Sequence, residues 1–216
     1  MQTIENVVIA AAGMGKRLGM GMPKALVEVS GKKIIEYQLS LFKDVPNVFM
    51  VVGFCDTEVI DFVKNIRRDV IFVRNTNFKH TKTLESFYLA AQLIKGWAVF
   101  IDGDMIIPTS SFKNFSSHCV EEMQIAVTKR ISDDPVYALV DSANKVTGFS
   151  YTQESLYEWA NVVYMKSELL QGGRENVFEF LERFLPAKAV EIDRLEIDTP
   201  EDLQYAETLI IDGYLK

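Results

Sequence analysis

The chain has 216 residues, 48% of them hydrophobic and 25% charged, a globular composition with enough apolar mass to bury a core without disulfides or a structural metal. A formal net charge of −7 with no Lys- or Arg-rich run excludes a binder of long nucleic acid, whose affinity rests on neutralising phosphates. No apolar run approaches the roughly 18 residues of a membrane span, and the opening M-Q-T-I-E-N lacks the basic and apolar regions of a secretion signal, so the expected location is the cytoplasm, with no membrane partner.

Taken in chain order, NVVIAAA (6–12), VFMVVG (48–53), VIFVR (70–74) and WAVFID (97–102) are apolar runs of strand length. Between them, 33–44, 57–68 and 83–95 carry apolar residues at helical spacing, as in Val59, Phe62, Val63 and Ile66. Strands alternating with amphipathic helices predict a Rossmann-like α/β sheet, mixed and mainly parallel, with helices on both faces. The second half breaks into QIAVTKR (124–130), VYALV (136–140) and KVTGFS (145–150), separated by S-D-D-P and D-S-A-N-K turns. This predicts a small antiparallel insertion at about 124–160 within a single domain over 1–216. NVVYM (161–165), a helix across 175–185 and a last helix opened by Thr199-Pro200-Glu201-Asp202 complete the chain.

The chemistry concentrates in A-A-A-G-M-G-K-R-L-G-M-G-M-P-K-A-L (10–26), directly after the first strand, at the sheet edge where open α/β folds bind ligands. Gly13 and Gly15 let backbone N–H groups approach a phosphate chain, and Arg17 and Lys24 supply positive charge. Neither G-x-x-x-x-G-K-[ST] nor a full G-x-G-x-x-G is present, which separates the loop from P-loop and dinucleotide-binding patterns. In F-I-D-G-D-M (100–105) a strand ends in Asp102 and Asp104, an i, i+2 pair on one face whose crowding a cation such as Mg²⁺ relieves.

These elements resemble the nucleotidyltransferase family of sugar-nucleotide and cytidylyltransferase enzymes, whose hallmark is A-A-G-x-G-x-R followed by P-K. The resemblance implies a nucleotide loop made of Ala11, Ala12, Gly13, Met14, Gly15 and Lys16, with Arg17 and Lys24 stabilising charge on the triphosphate. It further implies Mg²⁺ held by Asp104 and by an aspartate near the carboxyl terminus. E-I-D-T-P-E-D-L (196–203) nominates Asp198 for that role, with Asp193 in the preceding E-I-D as the competing candidate, while Asp102 falls to the nucleotide side. N-T-N-F-K-H-T-K-T-L-E-S (75–86) resembles the base-recognition segment and nominates Thr83 and Ser86. Some choline-type relatives have an asparagine pair where this chain reads Lys82-Thr83.

For the acceptor, the candidates are Lys129 with its neighbour Arg130, Trp159 and Asn161, with Tyr164 on the same strand. His80 and His118 lack metal-ligand spacing. No general base is called for, because a phosphate or phosphonate oxygen is already anionic near neutral pH. The expected reaction is Mg²⁺-dependent cytidylyl transfer from CTP to a small phosphorylated or phosphonylated acceptor. The alternatives are a UTP- or dTTP-dependent sugar-1-phosphate enzyme, a molybdenum-cofactor guanylyltransferase, or a nucleotide-binding module without turnover. A homodimer fits this reading, though one sequence leaves the oligomeric state open. Cys55 and Cys119, far apart and outside any C-x-x-C, are read as reduced thiols.

Overall fold

The four apolar runs of the first half fold as parallel strands, each returned by a helix. The computed structural model describes residues 4–132, 134–211 and 213–215. From the amino end come β1 (Asn6–Ala11), the hairpin of β2 (Glu28–Val29) and β3 (Lys32–Lys33), α1 (Ile34–Leu41), β4 (Asn47–Val52), α2 (Asp56–Ile66), β5 (Ile71–Arg74), α3 (Thr83–Ala91) and β6 (Trp97–Asp102). Then follow β7 (Met105–Ile106), α4 (Thr109–His118), β8 (Gln124–Lys129), β9 (Tyr137–Val140), β10 (Lys145–Ser150) and β11 (Tyr157–Lys166). The chain ends in α5 (Val177–Leu181), β12 (Ala187–Glu191), β13 (Leu195–Glu196) and α6 (Pro200–Ile211).

One nine-stranded sheet has the order β5-β4-β1-β6-β11-β8-β12-β10-β9. Strands β5, β4, β1 and β6 run parallel. β1 is buried on both faces, with Val7 and Ile9 in one core and Val8 in the other, as a central strand covered by helices requires. β11 joins β6 antiparallel, and β8 lies antiparallel to β11 but parallel to β12. β10 pairs with β12 and β9, and β9 returns to the start of β11. The strands at 124–160, where the sequence reading places a small antiparallel insertion, continue the main sheet and with β12 curl into a closed group of five.

Two departures from the sequence reading have local causes. The helix across 175–185 is only Val177–Leu181 followed by a 3₁₀ turn, because Pro186 turns the residue before it away from helical geometry. α4, unannounced by its Ser-rich sequence, is held by Phe112 and Phe115, with Phe112 edge-on to Phe42 at 5.1 Å. β12 slots between β8 and β10. The final helix starts as the sequence predicts: Asp202 N–H donates to Thr199 Oγ1 at 3.2 Å, and Thr199 N–H to Asp202 Oδ2 at 2.8 Å.

A third, smaller core beneath α6 gathers Leu18, Val27, Val29, Ile34, Ile106, Leu195, Ile197 and Ala206. It packs the end of the glycine loop against the carboxyl-terminal segment, which sets up the site. Among the described residues no helix is long and apolar enough to cross a membrane.

Candidate active site

A cleft of about 1040 Å³ opens at the carboxyl ends of the parallel strands. Backbone pairing assembles its floor from distant sequence. β13 runs antiparallel to β7, with Glu196 opposite Met105, and Ile197 N–H donates to the Asp104 carbonyl at 3.1 Å. Glu196 and Asp198, two residues apart, thereby face Asp104: oxygens of the three carboxylates lie within 4.8 Å of one another. Asp193 goes elsewhere and accepts from the Ser111 hydroxyl at 3.0 Å, so of the two competing aspartates the fold brings Asp198 to the cluster.

The turn carrying Asp102 and Asp104 is clamped from two sides. Gly103 N–H donates to the Ala10 carbonyl at 2.9 Å, and a Cβ at Gly103 would sit 2.6 Å from that oxygen, so only glycine fits. Gln38, wholly buried on α1, donates from Nε2 to the carbonyls of Asp102 (2.7 Å) and Met105 (3.1 Å). Sequence reading gave no sign of Gln38, because its role exists only once α1 lies beneath the turn.

Lys24 ties the floor together. Its ammonium lies 2.6 Å from Asp104 Oδ2 and also bonds Asp198, whose other oxygen takes Arg17 at 2.6 Å. Burial lowers the lysine pKa, but the two carboxylates outweigh it and raise the net value above the usual lysine range. Burial, then the Asp104 charge, push Asp102 well above the ordinary carboxylate range. Burial likewise drives Glu196 up to about 7, with Asp104 and Asp198 adding to it and Arg194 and Lys24 opposing. Crowded carboxylates disfavour their own ionisation unless cations neutralise them.

Asp102 Oδ1 and Asp104 Oδ1 are buried without a hydrogen-bond partner among the described residues. An all-oxygen donor set with an orphaned carboxylate oxygen fits a hard divalent cation such as Mg²⁺.

Ala12, Gly13, Arg17, Thr83, Ser86 and Asp102, all among the sequence-derived candidates, line one side of the cleft. Gly15 has φ of 58°, the left-handed turn that glycine permits, and its α-carbon side faces the Lys24 stem. Met14, Gly15 and Lys16 shape the loop from outside the cleft lining, and Ala11 points into the core on the opposite face of β1. Asn75, absent from the sequence-derived set, donates to Thr81 Oγ1 (3.0 Å) and Ser86 Oγ (3.1 Å) and so organises the segment that leads into α3.

On the opposite wall Trp159 and Asn161 line the cleft. Trp159 lies edge-on to Phe149 at 5.9 Å. Asn161 has φ of 56° at a break in the β11–β8 register, and its Nδ2 donates to Glu196 at 3.2 Å; such irregularities re-aim side chains. Lys129 is a correction to the sequence reading: it projects from the end of β8 toward Glu191 of the neighbouring strand (3.3 Å) and is not part of the cleft wall. Arg130 stacks on Tyr137, and Tyr164 stacks on Trp97 at 5.0 Å in the other core.

Sequence reasoning also missed Glu158 and Arg194, both buried in the wall. Their charges are isolated in sequence and meet only when β11 and the segment before β13 pack together.

Comparison with known proteins agrees with this geometry. The choline-phosphate cytidylyltransferase of Streptococcus pneumoniae is 32% identical over 114 residues, which is 50% of this chain and 48% of that protein, so the match spans about half of that relative. The chloroplastic 2-C-methyl-D-erythritol 4-phosphate cytidylyltransferase of Oryza sativa is 24% identical over 95% of this chain and 74% of its own. In structure, the inositol-1-phosphate CTP transferase of T. maritima superposes with a TM-score of 0.80 at 19% identity, covering 98% of each chain, which establishes the shared fold. The family model for the MobA-like NTP transferase domain matches residues 7–159, well over half of the length and inclusive of the glycine loop, Lys24 and the aspartate turn. On that match this chain is a member of the MobA-like NTP transferase family, the nucleotidyltransferases.

Proposed function

We propose that the protein transfers the cytidylyl group of CTP to an anionic oxygen of a small phosphorylated or phosphonylated acceptor and releases pyrophosphate. The observation that carries this reading is that Arg17, Asp104 and Asp198 line a cleft large enough for two substrates and that Lys24, bonded to both aspartates, joins them from beneath. The cytidylyltransferase relatives support CTP as the donor.

In this reading Gly13 and its neighbours receive the triphosphate along the backbone, and Thr83 and Ser86 face the base. The acceptor oxygen attacks the α-phosphorus; a new P–O bond forms as the bond to the β-phosphate bridging oxygen breaks, and pyrophosphate leaves. Lys24, fixed by two carboxylates, and Arg17 offset the charge that develops on the α-phosphoryl and leaving groups. Asp104 and Asp198, with Glu196 beside them, would hold Mg²⁺, which when bound neutralises triphosphate charge. No residue has to remove a proton. Trp159 and Asn161 would border the acceptor. We assign the work to the cytoplasm, where nucleoside triphosphates are available.

The test is pyrophosphate release with Mg²⁺, each of CTP, UTP, dTTP, GTP and ATP, and a panel of phosphocholine, aminoethylphosphonate, polyol phosphates and sugar-1-phosphates. Release that requires CTP and one acceptor supports the reading. Release with another triphosphate overturns the base assignment, and a protein that neither turns over nor is stabilised by any triphosphate overturns the function.

A further inference from the structure

Arg194 is the most buried cation of the cleft wall, with 4% of its side chain exposed. Its Nη1 donates to Glu196 Oε2 at 2.8 Å; its Nη2 donates to Glu158 Oε1 and to the Trp159 carbonyl, both at 3.3 Å; its Nε has no partner among the described residues. Glu158 is 1% exposed and is held in turn by Ser132, whose hydroxyl donates to Oε1 at 2.9 Å and whose N–H donates to Oε2 at 3.3 Å. The other oxygen of Glu196 takes Asn161. One guanidinium therefore spans two regions. On one side stand Glu196 and the carboxylate cluster; on the other stand Glu158, Trp159 and the Ser132 segment of the wall opposite the nucleotide loop.

Burying an arginine with two carboxylates is an inefficient way to stabilise a fold, since desolvation offsets the attraction and apolar side chains fill such space as well. The rigid planar fork does something apolar filling does not: it fixes the direction of each carboxylate it holds. Here it aims Glu196 at Asp104 and Asp198 while pinning Glu158 to the acceptor wall. Gly13, Thr83 and Ser86 lie on the nucleotide side and take no part in the network.

We propose that Arg194 is a positioning residue that ties the acceptor wall to the carboxylate cluster, so that its loss weakens acceptor binding and divalent-cation binding together while CTP binding is retained. The inference rests on the proposed function for its acceptor half and on geometry alone for its cation half.

The experiment compares wild type with Arg194→Met and Arg194→Lys. Mn²⁺ binding to each protein without substrates is read by electron paramagnetic resonance, and KM for CTP and for the acceptor found in the panel is measured at saturating Mg²⁺. Partners that orient ligand carboxylates are worth about 10–100-fold in metal affinity, so Arg194→Met is expected to weaken Mn²⁺ about tenfold and raise the acceptor KM by a similar factor, with the CTP KM within about twofold. Arg194→Lys, whose ammonium lacks the fork, is expected to recover part of both losses. If Arg194→Met does not fold, Glu158→Gln/Arg194→Met, which removes the stranded charge, carries the same expectation. Unchanged Mn²⁺ affinity in a folded variant overturns the proposal, as does a CTP KM that rises in step with the acceptor KM. If wild type neither turns over the panel nor is stabilised by any triphosphate, the proposed function fails on its own, and the Mn²⁺ comparison still decides for or against Arg194.

Discussion

Replacing Lys24 with alanine separates what the lysine does for the fold from what it does for the reaction. Its ammonium lies between Asp104 and Asp198, and the three side chains are 12%, 20% and 18% exposed. Breaking a fully buried pair costs about 3–5 kcal/mol; the residual exposure here brings that to about 2–3 kcal/mol. For a chain of this size each kcal/mol lowers the melting temperature by about 2–4 °C, so a fall of about 4–12 °C is expected in Mg²⁺-free buffer. Mg²⁺ is expected to restore much of it, because a divalent charge neutralises the same oxygens. Turnover is expected to stay about 10²–10³-fold down even at saturating Mg²⁺, the usual effect of losing one preorganised group at the developing charge. Differential scanning fluorimetry with and without Mg²⁺, paired with pyrophosphate release, reads both. A variant as stable as wild type without Mg²⁺, or one whose turnover returns when Mg²⁺ is added, refutes the reasoning.

Gly103→Ala places a Cβ 2.6 Å from the Ala10 carbonyl; it is expected to cost about 1–3 kcal/mol in chemical denaturation and to reduce turnover further by displacing Asp104, whereas wild-type stability would show that the turn has room. Gln38→Leu strands the buried carbonyls of Asp102 and Met105, with an expected loss of about 2 kcal/mol; a loss below about 0.5 kcal/mol, the size of an ordinary surface change, means the clamp is dispensable. Burial pushes the Cys119 thiol up to about 12, while Cys55 is half-buried. Ellman's reagent at pH 8 is therefore expected to find one thiol in the native protein and two after unfolding, and two native thiols reacting at one rate would contradict that burial.

What could be read in the sequence was whatever local pattern controls. β1, β4 and β6 were visible as apolar runs because they are buried on both faces, β5 as a short apolar run on the sheet edge, and the last helix through the capping residues of its Thr-Pro-Glu-Asp start. The glycine loop and the D-G-D turn were visible for the same reason. α4 was not, since its anchorage is two phenylalanines in a run of serines, and neither was the two-residue pairing of β7 with β13, too short to have a period. Glu196, Glu158, Arg194, Gln38 and Asn75 owe their place in the site to contacts across 11 to 67 positions. A charge or amide standing alone in sequence gives no hint of such a partner. Lys129 stands differently: its basic charge near a strand end suggested a phosphate, and the side chain lies 3.3 Å from Glu191, beyond the residues that line the cleft.

β11 pairs with β6 through its second half, with β9 through its first, and with β8 on both sides of the irregularity at Asn161, where the β8 register shifts. β11 therefore runs from the cleft wall at Trp159 and Asn161 to a pairing with the strand that carries Asp102. A change that enlarges the cleft at Trp159, where the proposed acceptor lies, is transmitted along β11 to Asn161 and through its hydrogen bond to Glu196 on the floor. Acceptor preference and cation geometry are in this sense parts of one mechanical element, and altering the first without disturbing the second calls for substitutions on the loops, away from β11.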